Sequence, residues 1–165
     1  EVTRGMGLGF GYNRFETDGD FLSEEELIHS FVDIVSRNGN LLLNVGPKAN
    51  GDIPEIQATR LGELGDWLAV NGEAIYGTRP WVRAEGETGS GHPVRFTQNE
   101  KGRFAIVLSD LTSGSVRLLD VGPETITSVE LLGHGSVPWQ PDGPDLVVEL
   151  PEDDSLKVAY TLALR

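Results

Sequence analysis

Two short segments carry side chains suited to chemistry. The first, Phe10-Gly11-Tyr12-Asn13, sets two aromatics and an amide in a glycine-rich stretch. Aromatic faces pack on apolar C–H surfaces, so Phe10 and Tyr12 fit either the apolar wall of a sugar site or ordinary core packing. The second is the apolar run Leu41-Leu42-Leu43, which stops abruptly at Asn44-Val45-Gly46-Pro47. A short apolar run bounded by turn residues predicts a strand buried on both faces. The carboxyl end of such a strand is where α/β barrels keep their chemistry. Asn44 stands there, with an amide suited either to a substrate hydroxyl or to neighbouring loop backbone.

The remaining polar residues form no legible constellation. Glu24, Glu25 and Glu26 belong to a helix start, Glu55, Glu63 and Asp66 to a solvated helix face, and Glu152, Asp153 and Asp154 to a turn. Asp18 and Asp20 lack the full oxygen set that calcium needs. His29, His92 and His134 are too scattered for metal spacing, so no metal site is expected. The alternating Gly5, Gly7, Gly9 and Gly11 lack the offsets of a dinucleotide fingerprint, and Asn50-Gly51-Asp52 is no Walker lysine motif. No G-x-S-x-G or Cys/His arrangement exists for nucleophilic catalysis, and no cofactor is implied.

Several elements must position the two segments. Ser23-Glu24-Glu25-Glu26 is a capping box, with Leu22 and Leu27 as its hydrophobic staple. Leu27, Phe31, Ile34 and Val35 recur at helical spacing, and Asn38-Gly39 stops the helix in the αL manner. Pro54 opens a second helix, with Leu61, Leu64 and Leu68 on one face and Trp67 beside it, ended by Asn71-Gly72. After Trp81, seven short β-rich runs alternate with turn clusters: 81–85, 93–98, 103–109, 115–119, 126–132, 145–150 and 156–164. That texture predicts an antiparallel sandwich. Trp139 falls in a loop, where it either fills the end of the sandwich or binds carbohydrate.

The expected fold class is therefore α/β plus all-β, with domains at 1–78 and 79–165. In the first half, a single apolar strand between two helices has no paired neighbour, and its edge invites pairing. Self-association through this exposed strand is expected for an isolated chain. The 165 residues carry a net charge of −13, which repels nucleic-acid phosphate and anionic membranes, so neither is an expected partner. There are no cysteines, which excludes disulfides and leaves the compartment open. The chain begins at Glu1 rather than Met, as a trimmed, processed or partial protein would.

Glu1, Phe10-Gly11-Tyr12-Asn13, Gly39-Asn40-Leu41-Leu42-Leu43-Asn44-Val45-Gly46-Pro47 with Gly51, and Leu64-Gly65, Trp67-Leu68 and Asn71-Gly72-Glu73-Ala74-Ile75-Tyr76 together resemble α-L-fucosidases of glycoside hydrolase family 29. The motifs keep their order from residue 1 to about 81, and the rest fits the family's C-terminal β-sandwich with weaker signal. The resemblance implies the C-terminal remnant of a (β/α)8-like barrel followed by that sandwich. It implies a retaining hydrolase of terminal fucose on glycans, with two carboxyl groups about 5–5.5 Å apart. Both lie upstream of these motifs in the family. The nucleophile matches no position here, and Glu1 matches a structural glutamate. Phe10 matches an aromatic that packs on the apolar face and methyl group of fucose, and Tyr12 the tyrosine of the same segment. The implied partners are a fucosylated glycan and the missing barrel segment, and the isolated chain is expected to be inactive. A rival expectation is a non-catalytic module that binds carbohydrate or a partner.

Overall fold

The computed structural model describes residues 1–110, 114–152 and 157–165. Asp153, Asp154 and Leu156, which enter two of the sequence expectations, lie outside the described residues. The chain opens with strand β1 (Val2–Gly5), a long loop holding a 3-10 turn (Asp18–Asp20), helix α1 (Glu24–Ser36), strand β2 (Leu41–Asn44) and helix α2 (Glu55–Asn71). A second 3-10 turn (Gly72–Ala74) leads into nine further strands among the described residues. These are β3 (Arg79–Glu87), β4 (Pro93–Asn99), β5 (Gly102–Val107), β6 (Gly114–Leu118), β7 (Val129–Leu131), β8 (Gly135–Ser136), β9 (Trp139–Asp142), β10 (Asp145–Leu150) and β11 (Tyr160–Leu164).

Local chemistry sets the ends of α1. Ser23 Oγ accepts from Glu26 N at 3.1 Å, and Glu26 Oε2 accepts from Ser23 N at 2.9 Å, so the capping box forms. At the other end Asn38 takes φ 64°. The Gly39 N–H donates to Ile34 O at 2.8 Å and the Asn38 N–H to Val35 O at 2.9 Å, the paired bonds of a Schellman turn.

The lone-strand expectation is corrected. β1 and β2 pair in parallel, Val2 opposite Leu41 through Gly5 opposite Asn44, with α1 as the crossover between them. Nor is β2 buried on both faces. Leu42 is 55% exposed, because this sheet has two strands and no described element covers its far side.

The other strands form two antiparallel sheets, ordered β6-β10-β9 and β3-β4-β5-β11-β7-β8. Their inner faces interdigitate through Val94, Phe96, Val116, Leu146, Val148 and Leu162, all buried in one cluster. This is the sandwich core. The sequence reading missed β8 and β9. β9 carries Pro141, which suits an edge strand because proline donates no ladder hydrogen bond, and β9 pairs on one side only, with β10. Trp139 lies on it, partly buried against the sandwich core.

The larger sheet has a second apolar face. Phe104, Ile106, Ala159 and Ala163 project from β5, β11 and the approach to β11 into a cluster with Ile28 and Val32 of α1 and Trp67 of α2. β5 and β11 are thus buried on both sides, one against the smaller sheet and the other against the helices. Trp67 Nε1–H donates to Ala159 O at 2.9 Å, and Thr97 Oγ1–H to Ala74 O at 2.7 Å, tying the helical layer to the sheet. Leu61, expected on the packed face of α2, is 41% exposed, and the helix buries Gln57, Trp67 and Asn71 instead.

Candidate functional site

Both strands of the parallel pair end at one place. Gly5 and Asn44 are register partners, and the loops leaving them, 6–22 and 45–54, meet there. The first loop is pinched shut: Glu16 Oε1 accepts the Leu8 N–H at 2.9 Å. Beyond that clamp the tip presents Leu8, Phe10, Tyr12 and Phe15, 79%, 55%, 47% and 76% exposed. Four large apolar side chains on one exposed loop mark a surface built for contact. Arg14 stacks over the Phe15 ring at 4.7 Å.

The tip is fixed through its backbone. Asn44 Nδ2–H donates to Phe10 O at 2.5 Å. Gly46, buried, lies so close to the Gly11–Tyr12 peptide that a Cβ there would stand 2.6 Å from Tyr12 N and 2.7 Å from Gly11 C. Gly5 approaches the loop in the same way, a Cβ falling 2.5 Å from Gly9 O. Behind Gly46, its own N–H donates at 2.8 Å to Oε1 of Gln57, an α2 residue only 4% exposed. Of the two roles open to Asn44, the structure shows the second: its amide satisfies loop backbone. Gln57 was missed, since a polar residue inside an amphipathic helix gives no sign of where its amide points.

The structure thus brings Phe10, Tyr12 and Asn44 together. The other polar candidates are engaged elsewhere. Thr17 N–H and Oγ1–H both donate to Asp20 Oδ2, which lowers the Asp20 pKa, and the two residues cap the 3-10 turn. Burial, reinforced by the Glu63 charge, raises the Glu24 carboxyl, while the Arg60 charge opposes the rise and Arg60 binds Glu63 through two hydrogen bonds of 2.7 and 2.9 Å. His29 Nε2 meets Val158 O at 2.7 Å across the helix–sheet boundary. His92 lies in the turn after Thr88, far in sequence from the other histidines, and its backbone N–H donates to Thr88 Oγ1 at 3.0 Å. Among the described residues no group of three or more His, Asp or Glu side chains is placed to hold a metal. A cavity of about 570 Å³ opens at the other end of β2, between Asn40, Leu41, Tyr76 and Thr78. It shares no residue with the aromatic loop, whose position at the carboxyl ends of parallel strands is the better indicator of a site.

Comparison with known proteins gives consistent matches along the chain. Residues 1–73 match the family model described as alpha-L-fucosidase, and residues 89–165 the model described as alpha-L-fucosidase C-terminal domain. The plasma alpha-L-fucosidase of Rattus norvegicus is 42% identical over 165 residues, 95% of this chain and 36% of that protein. The tissue alpha-L-fucosidase of Homo sapiens is 37% identical over 149 residues, 88% of this chain and 31% of that protein. The crystal structure of Thermotoga maritima alpha-fucosidase in complex with fucose superposes with a TM-score of 0.89 at 38% identity, covering 99% of this chain and 39% of that one. The chain spans about a third of the length of the curated relatives it matches.

Proposed function

The chain belongs to the α-L-fucosidase family, matching the C-terminal part of its members, and on that footing we propose that it supplies one wall of the sugar site of a retaining α-L-fucosidase. In this reading β1, α1, β2 and α2, within residues 1–78, are the last βαβα of a (β/α)8-like barrel. Residues 79–165 are the β-sandwich domain that braces it. The observation that carries the proposal is the aromatic loop locked onto the carboxyl ends of two parallel strands through Asn44 and Gly46. Phe10 and Tyr12 pack on the non-polar face and methyl group of a terminal fucose on a glycan. They contribute binding and orientation, with no metal and no cofactor.

The reacting carboxyl groups come from the upstream part of the barrel. That part packs on the uncovered side of β1 and β2, where Val2 and Leu42 are 43% and 55% exposed. In its absence the same surface drives self-association. A lone module binding glycans through the sandwich is less well supported, because Trp139 packs against the core instead of standing free as a platform.

The test is a chimaera in which residues 1–165 replace the matching part of the Thermotoga maritima enzyme, assayed beside the 165-residue chain on an aryl α-L-fucoside. The chimaera is expected to turn over with retention at the anomeric carbon, and the chain alone is expected to be inert. A folded but inactive chimaera overturns the proposal. Turnover that follows the isolated chain through purification overturns the assignment of the reacting groups to upstream residues.

A further inference from the structure

Asn44 is the only side chain that holds the tip of the aromatic loop by a hydrogen bond from β2 among the described residues. Its donor meets the carbonyl of Phe10, the residue whose ring is proposed to face the sugar. The opposite side of that tip is held by contact alone, where Gly46 abuts the Gly11–Tyr12 peptide. Gly46 is itself set by the buried Gln57 amide at 2.8 Å. The stretch around Phe10 therefore has a polar tether at Asn44 and a steric stop at Gly46, both distant in sequence and adjacent in space, besides the close approach of Gly5 to Gly9 O.

A ring on an exposed loop recognises a small apolar group only if its depth is fixed. Packing gains fall off within about an ångström of separation. Ordering the loop beforehand also removes a cost that binding would otherwise bear. We propose that Asn44 is a positioning residue for sugar discrimination: by donating to Phe10 O it sets the height of the Phe10 ring and so the selectivity for the methyl group of the sugar. This rests on the reading of Phe10 given above, and it assigns Asn44 no contact with substrate.

The experiment uses the chimaera and two substrates, the aryl α-L-fucoside and the same glycoside lacking the C5 methyl group. The readout is the ratio of the two kcat/KM values on one sample, in which any change in folded fraction cancels. Phe10→Ala should reduce the preference for the methylated substrate by about fourfold, the worth of one buried methyl-sized group. Asn44→Ala should lower the same ratio by about two- to fourfold, mainly through KM of the fucoside. Asn44→Asp keeps the shape but turns an acceptor toward the Phe10 carbonyl, so its loss should equal or exceed that of Asn44→Ala.

The outcomes separate the two claims. If Phe10→Ala leaves the ratio unchanged, Phe10 does not read the methyl group, and the site reading fails along with this inference. If Phe10→Ala changes the ratio while neither Asn44 variant does, the role of Asn44 alone is overturned. A second measurement needs no turnover: hydrogen exchange across residues 8–14 of the 165-residue chain should accelerate in Asn44→Ala. Unchanged exchange there would also overturn the proposal.

Discussion

Gly46 and Gly11 lie on facing segments of the same site, and the structure assigns them opposite responses to one added methyl group. Neither has a positive φ, so alanine meets no backbone strain at either position. At Gly11 a Cβ has nothing within 4 Å. Gly11→Ala therefore acts only on the unfolded chain, whose conformational freedom it restricts, and should stabilise by about 0.4–1 kcal/mol. At Gly46 the same unfolded-state gain applies, but the Cβ would stand 2.6 Å from Tyr12 N and 2.7 Å from Gly11 C. Those are backbone atoms, which cannot rotate away as a side-chain tip can. Forcing atoms into such a contact costs about 1–3 kcal/mol. The net expectation for Gly46→Ala is a loss of about 0.5–2 kcal/mol, which separates the two variants by about 1–3 kcal/mol. For a chain of this length that is a difference in Tm of roughly 2–12 °C. Urea titration followed by far-ultraviolet circular dichroism measures both variants under one protocol. In the chimaera Gly46→Ala should also raise KM, because the escape open to the clash is outward movement of the Gly11–Tyr12 peptide. Two variants of equal stability within about 0.5 kcal/mol would refute the reasoning, since the loop would then not be seated against Gly46.

Three further outcomes are expected. Trp67→Phe removes the donor to Ala159 O inside the helix–sheet cluster, leaving a buried carbonyl short of a partner at a cost of about 1–3 kcal/mol before lost packing is counted. Thermal melts should show one transition, lowered as a whole; loss of the helical signal alone would show that α1 and α2 are not coupled to the sandwich. Ser23→Ala removes the cap of α1 and should destabilise by about 0.5–2 kcal/mol in denaturant titration, with Ser23→Asp close to neutral. Burial raises the Asp33 carboxyl, but hydrogen bonds and charge from Arg95 and then Arg37 outweigh it and hold the pKa below the usual aspartate range. A depressed folded pKa contributes stability above the unfolded value of about 3.9 that is lost as pH falls through the folded one. The drop in urea midpoint between about pH 5 and 3 should therefore be shallower in Asp33→Asn than in the parent.

The legible part of the fold was the part written in local chemistry. Both ends of α1 follow from neighbours in sequence, Ser23 with Glu26 and Asn38 with Gly39, so reading them required no knowledge of the rest of the chain. The sandwich strands were readable from alternation and turn residues, except for β8 and β9: β9 begins with Trp139 and includes Pro141, which reads as loop until β10 is placed beside it. The packed face of α2 was misjudged for a related reason. Leu61 looks like a core residue by type, but the face is set by what α2 meets, and there Trp67 and Gln57 are buried with hydrogen-bond partners while Leu61 stays 41% exposed.

In the candidate site, the sequence by itself determined the ingredients: an aromatic pair at Phe10 and Tyr12, an amide closing an apolar strand at Asn44, and motif spacing enough to place the chain among the α-L-fucosidases. What they do to each other was decided only by the tertiary structure. Residue type tells that Asn44 can donate and that Gly46 has no side chain, but not that Phe10 O and the Gly11–Tyr12 peptide are what they face. The same holds for β5 and β11, which are mostly apolar on both faces and whose two buried faces became distinguishable only once α1 and α2 covered one and the smaller sheet the other. Periodicity fixes which residues share a side; long-range packing, with its chain-entropy cost offset only when the partner surface is present, fixes what that side meets.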